Sequence, residues 1–242
     1  MHPYATQSSR GLLFGAMIIA LWFGNLTMLL TQPVTAAAWV WISPALLLQT
    51  FLHTGLFITA HDAMHGTLTR HQRWNDFAGS VCVLLYALFS FRRLRVEHQK
   101  HHAHPASATD PDFHDGAHAG FWRWYGHFML TYVTWRQLLG MALVFNLLHH
   151  VLHVALLNLL LGWIMPALLS TLQLFYFGTF LPHREPAGGY ENRHHARSNA
   201  YRPLWSFLSC YHFGYHLEHH EFPFVPWWRL PFVRGQEMRR SN

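Results

Sequence analysis

Apolar residues in this chain are gathered into long runs, separated by segments dense in histidine and arginine. Gly11–Leu30 carries no formal charge and is long enough for a helix to cross the ~30 Å hydrocarbon core of a bilayer. Trp39–Ala60 repeats the pattern, interrupted only by Ser43, Pro44, Gln49, Thr50, His53, Thr54 and Thr59. Leu138–Leu161 and Trp163–Pro182 form a third and a fourth run, with Gly162 as the expected hinge between them. Gly79–Phe91 is apolar but too short to cross as a helix, and reads as a re-entrant or interfacial segment. The first run has no basic leader and is long enough to stay as a span, so no cleavable signal is expected. The pattern predicts an all-α integral membrane protein of one domain, 1–242. Four transmembrane helices carry a cap built from 61–137 and 183–242.

Charge placement agrees with four crossings. They put residues 1–10, 61–137 and 183–242 on one side, together with all 17 Lys and Arg residues. A bias this complete predicts that both termini and the cap are cytoplasmic, as in a bacterial inner membrane. A fifth crossing at Gly79–Phe91 would set Arg10 and Arg92 on opposite faces. Charged residues make up only 12% of the chain, about half the share in a soluble domain, which counts against a disordered or nucleic-acid-binding protein. The two cysteines, Cys82 and Cys210, cannot form a four-thiolate cluster.

Twenty-two histidines supply the candidate chemistry. His61 and His65 stand at the end of the second run, His183 directly after the fourth. His98, His101 and His102 repeat the i, i+3, i+4 spacing of His216, His219 and His220. Composition alone yields that triplet about 0.2 times per chain, and here it occurs twice. On a helix these positions share one face and converge on one point. Nine neutral imidazoles exceed what one ion uses and suit two first-row metals with positions left open. Iron accepts imidazole and activates dioxygen, so a di-iron oxygenase at the membrane surface is favoured over a metal-buffering surface. A metal carrier would need ligands along a transmembrane path, whereas these clusters share one face. His53 and the trio His149, His150 and His153 fall within the expected spans, where polar residues usually carry a purpose, yet neutral histidines hydrogen-bonded between helices explain them as well, and they are left out of the metal site.

Carboxylates adjoin the candidate ligands: Asp62, Glu97, Glu218 and Glu221. A carboxylate that accepts the distal imidazole N–H fixes the ring and raises its basicity. Neighbours on a helix point about 100° apart, so each carboxylate is equally well read as a solvated charge or as serving another motif's histidine. Phe57, Leu85, Phe89, Phe175, Phe177, Phe213 and Tyr215 are candidate linings for an apolar entrance from the bilayer, although ordinary core or lipid contact is the better reading for any one of them.

Three histidine motifs around four spans resemble the membrane fatty-acid desaturase and hydroxylase superfamily. Within it, the bacterial-type β-carotene ketolases are similar in more detail. The matching segments are Phe-Ile-Thr-Ala-His-Asp-Ala-Met-His-Gly (57–66), Asp-Pro-Asp-Phe (110–113), Phe-Gly-Thr-Phe-Leu-Pro-His-Arg (177–184), Arg-His-His-Ala-Arg-Ser (193–198) and Val-Pro-Trp-Trp-Arg-Leu-Pro (225–231), the last following His-Leu-Glu-His-His. The resemblance implies an O2-dependent enzyme with two Fe2+ ions that places keto groups at C4 and C4′ of β-ionone rings. β-Carotene would give echinenone and canthaxanthin, and hydroxylated carotenoids would lead towards astaxanthin. Two hydroxylations at one carbon and loss of water from the diol would form each ketone. It further implies His61, His65, His98, His101, His102, His183, His216, His219 and His220 as metal ligands. Asp62, Glu97, Asp110, Asp112, Thr179, His194 and Glu218 are candidates for supporting positions around them. The superfamily often has Asn where Thr179 stands, which removes the expectation of a bridging water there. Fatty-acid desaturases and carotenoid ring hydroxylases share the scaffold and remain alternatives. The chain carries no nucleotide fingerprint or haem-attachment motif, so its electrons are expected from an external donor such as reduced ferredoxin. Arg92, Arg93, Arg95, Lys100, Arg229, Arg234, Arg239 and Arg240 could steer that donor or anchor the protein to anionic lipid.

Overall fold

The structure, a computed structural model, describes residues 9–240, without the side chain of Arg240. The segment 1–8, expected on the cytoplasmic side, lies outside the described residues. These residues form helices and no strands. α1 (Arg10–Thr31) and α2 (Ala36–Met64) are followed by two bent pairs. α3 (Gln72–Ala87) meets α4 (Phe91–Ala103) at 99°, and α5 (Phe121–Tyr132) meets α6 (Trp135–Val151) at 86°. The long α7 (Leu156–His183) then leads to α8 (Pro203–Cys210), α9 (His216–Glu221) and α10 (Leu230–Arg240). α1, α2 and α7 are each long and apolar enough to cross a membrane, and the number rises to five if each bent pair is one span. Leu13, Val40, Leu47, Leu130 and Leu168 are among the large apolar side chains left exposed, as lipid-facing positions are.

α2 is the central helix. From Leu52 to Met64 every residue except Phe57 is buried, which is what a helix apolar on all sides requires. It packs with Cys82 and Val83 of α3, Leu174 of α7 and Phe213, and so carries His61 to the edge of the core. His53 within it accepts a hydrogen bond from Trp22 Nε1 at 3.0 Å and donates to the Tyr86 carbonyl at 2.8 Å. It thus joins helices, which favours the second of its two readings.

The bend after α3 has a local cause. Leu88 takes a left-handed conformation, φ 56°, which lets its N–H reach the Leu84 carbonyl and the Phe89 N–H reach Val83. Ser90 then caps α4 by accepting the Arg93 N–H. Gly79 makes the close approach possible, since a Cβ there would lie 2.2 Å from the Phe91 ring. The apolar run Gly79–Phe91 therefore ends in a near right angle, which turns the second histidine motif back over the end of α2.

Two expectations about the later spans are corrected. The chain does not turn at Gly162: α7 runs through it, taking up an extra residue in a π-helical turn at Leu160–Ile164. Gly162 instead admits α1, for a Cβ there would lie 3.0 Å from Leu29. The break falls at 152–155, where His153 has φ 53°, so 138–161 is not one helix. His153 consequently sits in the break, and His149 and His150 in the last turn of α6. His149 donates to the Val154 carbonyl at 2.9 Å, and the other two are exposed.

Candidate metal centre

All nine candidate histidines come together, in two groups. His61, His65, His98, His102 and His219 form one, and His101, His183, His216 and His220 the other. Within each group the ligating nitrogens lie within 4.8 Å of one another. α2 supplies His61 and, at its C-terminal cap, His65; α4 supplies three rings, α9 three, and the last turn of α7 supplies His183. The i, i+3, i+4 triplets each divide between the groups. In α4, His98 and His102 face the first and His101 the second; in α9, His219 faces the first while His216 and His220 face the second.

The nitrogens converge as metal donors do. His219 Nε2 lies 3.1 Å from His61 Nε2 and 3.0 Å from His102 Nε2. One ring nitrogen has a single proton or a single lone pair, so it cannot serve both contacts as hydrogen bonds of the same sense. His101 Nε2 and His216 Nε2 similarly both lie 3.1 Å from His220 Nε2. Metal–imidazole bonds of about 2.1 Å place adjacent donors about 3 Å apart around an octahedral ion, which these separations match. His183 donates from Nδ1 to the His195 carbonyl at 2.9 Å, which leaves its lone pair on Nε2, a buried atom with no protein partner. Burial first, then the neighbouring histidines, hold His216, His219 and His220 well below the ordinary imidazole pKa. At neutral pH they are uncharged and ready to donate. The residues fit metal ions of first-row type.

A narrow cavity runs from the histidines between α2, α5 and α7. His61, His98, His101 and His216 stand at one end, with Phe57, Met64, Phe89, Leu94, Phe128, Met129, Leu174 and Phe213 along its wall. Gly178 shapes it: a Cβ there would lie 2.2 Å from the Phe213 ring, so the missing side chain is what admits that ring. Gly178 falls in a second π-helical turn, Phe175–Phe180, which also sets the direction of His183 one turn later.

The sequence matches the Fatty acid desaturase family over residues 36–143 and 131–241. The chain belongs to the fatty acid desaturase family. Among known members, the beta-carotene ketolase of a Paracoccus species is 39% identical over 242 residues, covering 96% of this chain and 95% of that one. The zeaxanthin 4-ketolase of Chlamydomonas reinhardtii is 41% identical over 221 residues, 90% of this chain and 49% of its own length. A beta-carotene ketolase of Haematococcus lacustris is 41% identical over 200 residues, 80% and 62% respectively. The chain therefore spans half to three-fifths of the algal relatives and nearly all of the bacterial one.

In this desaturase-family member the expected supporting residues divide. Asp110 accepts the His101 Nδ1–H at 2.9 and 3.0 Å, while Asp112 Oδ2 stands 3.7 Å from the same nitrogen. Burial pushes the Asp112 carboxyl up to about 6. Asp62 Oδ1 lies 3.6 Å from its neighbour His61, and Oδ2 accepts the Trp227 N–H at 3.1 Å. Glu97 pairs with Lys100 at 3.0 Å, and Glu218 with Arg234 at 2.6 Å and with the Ser198 hydroxyl, so neither serves a histidine. His194 lies against His220 with ring centroids 5.6 Å apart and accepts from Arg193 Nε. It is not in either nitrogen group. Thr179 is buried and lines the cavity.

Of the expected linings, Phe57, Phe89 and Phe213 face the cavity, and Leu85, Phe175, Phe177 and Tyr215 do not. Leu85 packs on the core around Val83, and Phe175 is buried with Trp124 and Phe180. Phe177 lines a groove with Tyr201 and Trp205, and Tyr215 packs with Val225 and Leu230. The cavity instead includes Tyr132, Val133 and Thr171, which sequence reasoning missed. α5 lay in the cap segment 61–137, and the spacing of Phe121, Trp124, Phe128 and Tyr132 is the signal that could have marked it as a packed helix.

Proposed function

We propose that this chain is a carotenoid 4-ketolase. It introduces keto groups at C4 and C4′ of β-ionone rings, turning β-carotene into echinenone and canthaxanthin. The observation that carries the reading is the meeting of two imidazole groups with an apolar cavity, in a chain similar to ketolases over nearly its whole length. His61, His65, His98, His102 and His219 would hold one iron ion, and His101, His183, His216 and His220 the other. The pair supplies dioxygen activation when bound.

This chain's own residues then orient and exclude. Phe57, Phe89, Phe128 and Phe213 hold a ring against the histidines and keep bulk water from it. Asp110 fixes the His101 ring, and the His195 carbonyl fixes His183. Two successive hydroxylations at one carbon give a geminal diol, and loss of water leaves the ketone. Each hydroxylation draws two electrons from outside, and a reduced ferredoxin docking on the basic face is the donor we assign. We place four crossings in a bacterial inner membrane, at α1, α2, α6 and α7, with the histidines and both termini on the cytoplasmic side.

Expression in a bacterium that accumulates β-carotene, with chromatography of the extracted pigments, tests the reading. Echinenone and canthaxanthin are expected, with label incorporated from 18O2. Products hydroxylated only at C3, or desaturated acyl chains with unchanged carotenoid, would place the chain in a neighbouring branch.

A further inference from the structure

Where the cavity meets His101 its wall turns polar, at Asp112 and Tyr132. Oδ1 of Asp112 accepts the Tyr132 hydroxyl, and the Asp112 N–H is donated to Asp110 at 2.9 Å. The carboxylate is thus held from α5 and from its own loop. Oδ2 is placed differently. It stands 3.7 Å from His101 Nδ1, whose proton is already shared between the two oxygens of Asp110. Among the described residues Oδ2 accepts no hydrogen bond, although the side chain is only 15% exposed. Oδ2 is not among the buried polar atoms that lack a partner, so it keeps access to solvent through the cavity; a ring that fills the cavity removes that access, and an acceptor so stripped of water costs free energy unless a donor reaches it. A bare polyene ring has no donor, whereas a ring hydroxyl has one.

We propose that Asp112, oriented by Tyr132, accepts a hydrogen bond from a hydroxyl on the carbon beside the one oxidised, and so selects 3-hydroxylated rings over bare ones. The proposal rests on the ketolase reading and adds the determinant of substrate choice. A site built to bond a hydroxyl leaves its own buried group unsatisfied when the hydroxyl is missing, and this sets the sense of the discrimination. Asp112 lies outside both imidazole groups, so its effect on choice is separable from metal content.

The experiment compares zeaxanthin with β-carotene on the purified, iron-loaded protein, supplied with dioxygen and excess reduced ferredoxin. The ratio of kcat/KM for the two substrates and the iron content are measured for the wild type, Asp112→Asn and Asp112→Leu. The wild type is expected to favour zeaxanthin. The ratio should fall about tenfold in Asp112→Asn, where a neutral acceptor replaces a charged one, and further in Asp112→Leu, with iron content unchanged. If a variant does not turn over, the same ratio is read from binding, by quenching of tryptophan fluorescence by each polyene. A wild-type ratio retained in both variants overturns the proposal while leaving the ketolase reading intact. Absence of ketone from either substrate with the wild type overturns both.

Discussion

Asp110 gathers three donors: the His101 ring, the Ala106 N–H at 2.8 Å and the Asp112 N–H at 2.9 Å. It therefore fixes a candidate ligand and the loop that carries Asp112 in one contact. Asp110→Ala is expected to weaken the His101, His183, His216 and His220 group for iron by about 10–100-fold, the usual effect of losing such a partner. The other group should retain its ion, so a metal titration should pass from two equal steps to one tight and one weak. Two tight steps would reduce Asp110 to a loop anchor. The histidines of the two triplets were legible in the sequence because helical spacing keeps each set on one side of its helix, although each set divides between the two groups instead of meeting at one point. Their supporting carboxylate was legible only through the resemblance, which offered Asp110 among seven candidates, since Asp110 reaches His101 through a loop whose path no periodicity encodes. Arg234 shows the same limit. It reads as surface charge, yet it holds Glu218 at 2.6 Å and lies over the Tyr215 ring. Reversing its charge would disturb α9 itself, so donor docking is better tested at Arg92 and Arg239.

At the level of elements, the π-helical turn at Phe175–Phe180 links substrate space to metal geometry. It places Gly178 against Phe213 and brings His183 to the second imidazole group. Gly178→Ala forces a methyl into a gap already filled by the Phe213 ring. A cost of about 1–3 kcal/mol is expected, the usual range for overpacking, together with lower turnover as the ring moves into the cavity. A thermal melt and a pigment assay check both. An unchanged melting temperature would mean that Phe213 yields freely. The apolar runs disclosed α1 and α2 to within a few residues, because long apolar segments flanked by polar ones leave little choice. They misplaced the break between α6 and α7. Residues 147–161 are apolar apart from His149, His150, His153 and Asn158, and the turn depends on His153 adopting a left-handed conformation, which histidine tolerates better than most residues. Gly162, the residue that looked like a hinge, serves helix contact instead.

For the whole molecule, the buried histidines make the metal-free protein sensitive to acid. His216, His219 and His220 are depressed in the fold, whereas the unfolded chain takes up protons near the ordinary value of about 6.5. Between those values the unfolded state binds more protons, so stability rises with pH there, is complete above about 6.5 and declines below it. Chelator-treated protein is expected to lose melting temperature from pH 7 to pH 5, and a flat profile would mean the rings are protonated in the fold. The four-crossing arrangement makes a separate demand, because it puts the α6–α7 turn on the side away from the histidines. His153 at that turn and His118 in the loop before α5 are both exposed, whereas Cys82 and Cys210 are fully buried and should not react. In right-side-out cells a membrane-impermeant maleimide should label His153→Cys and leave His118→Cys untouched until the membrane is opened. Labelling of both, or of neither, before opening would put the turn and the loop on one side. α6 and α7 would then form a re-entrant hairpin, and only α1 and α2 would cross.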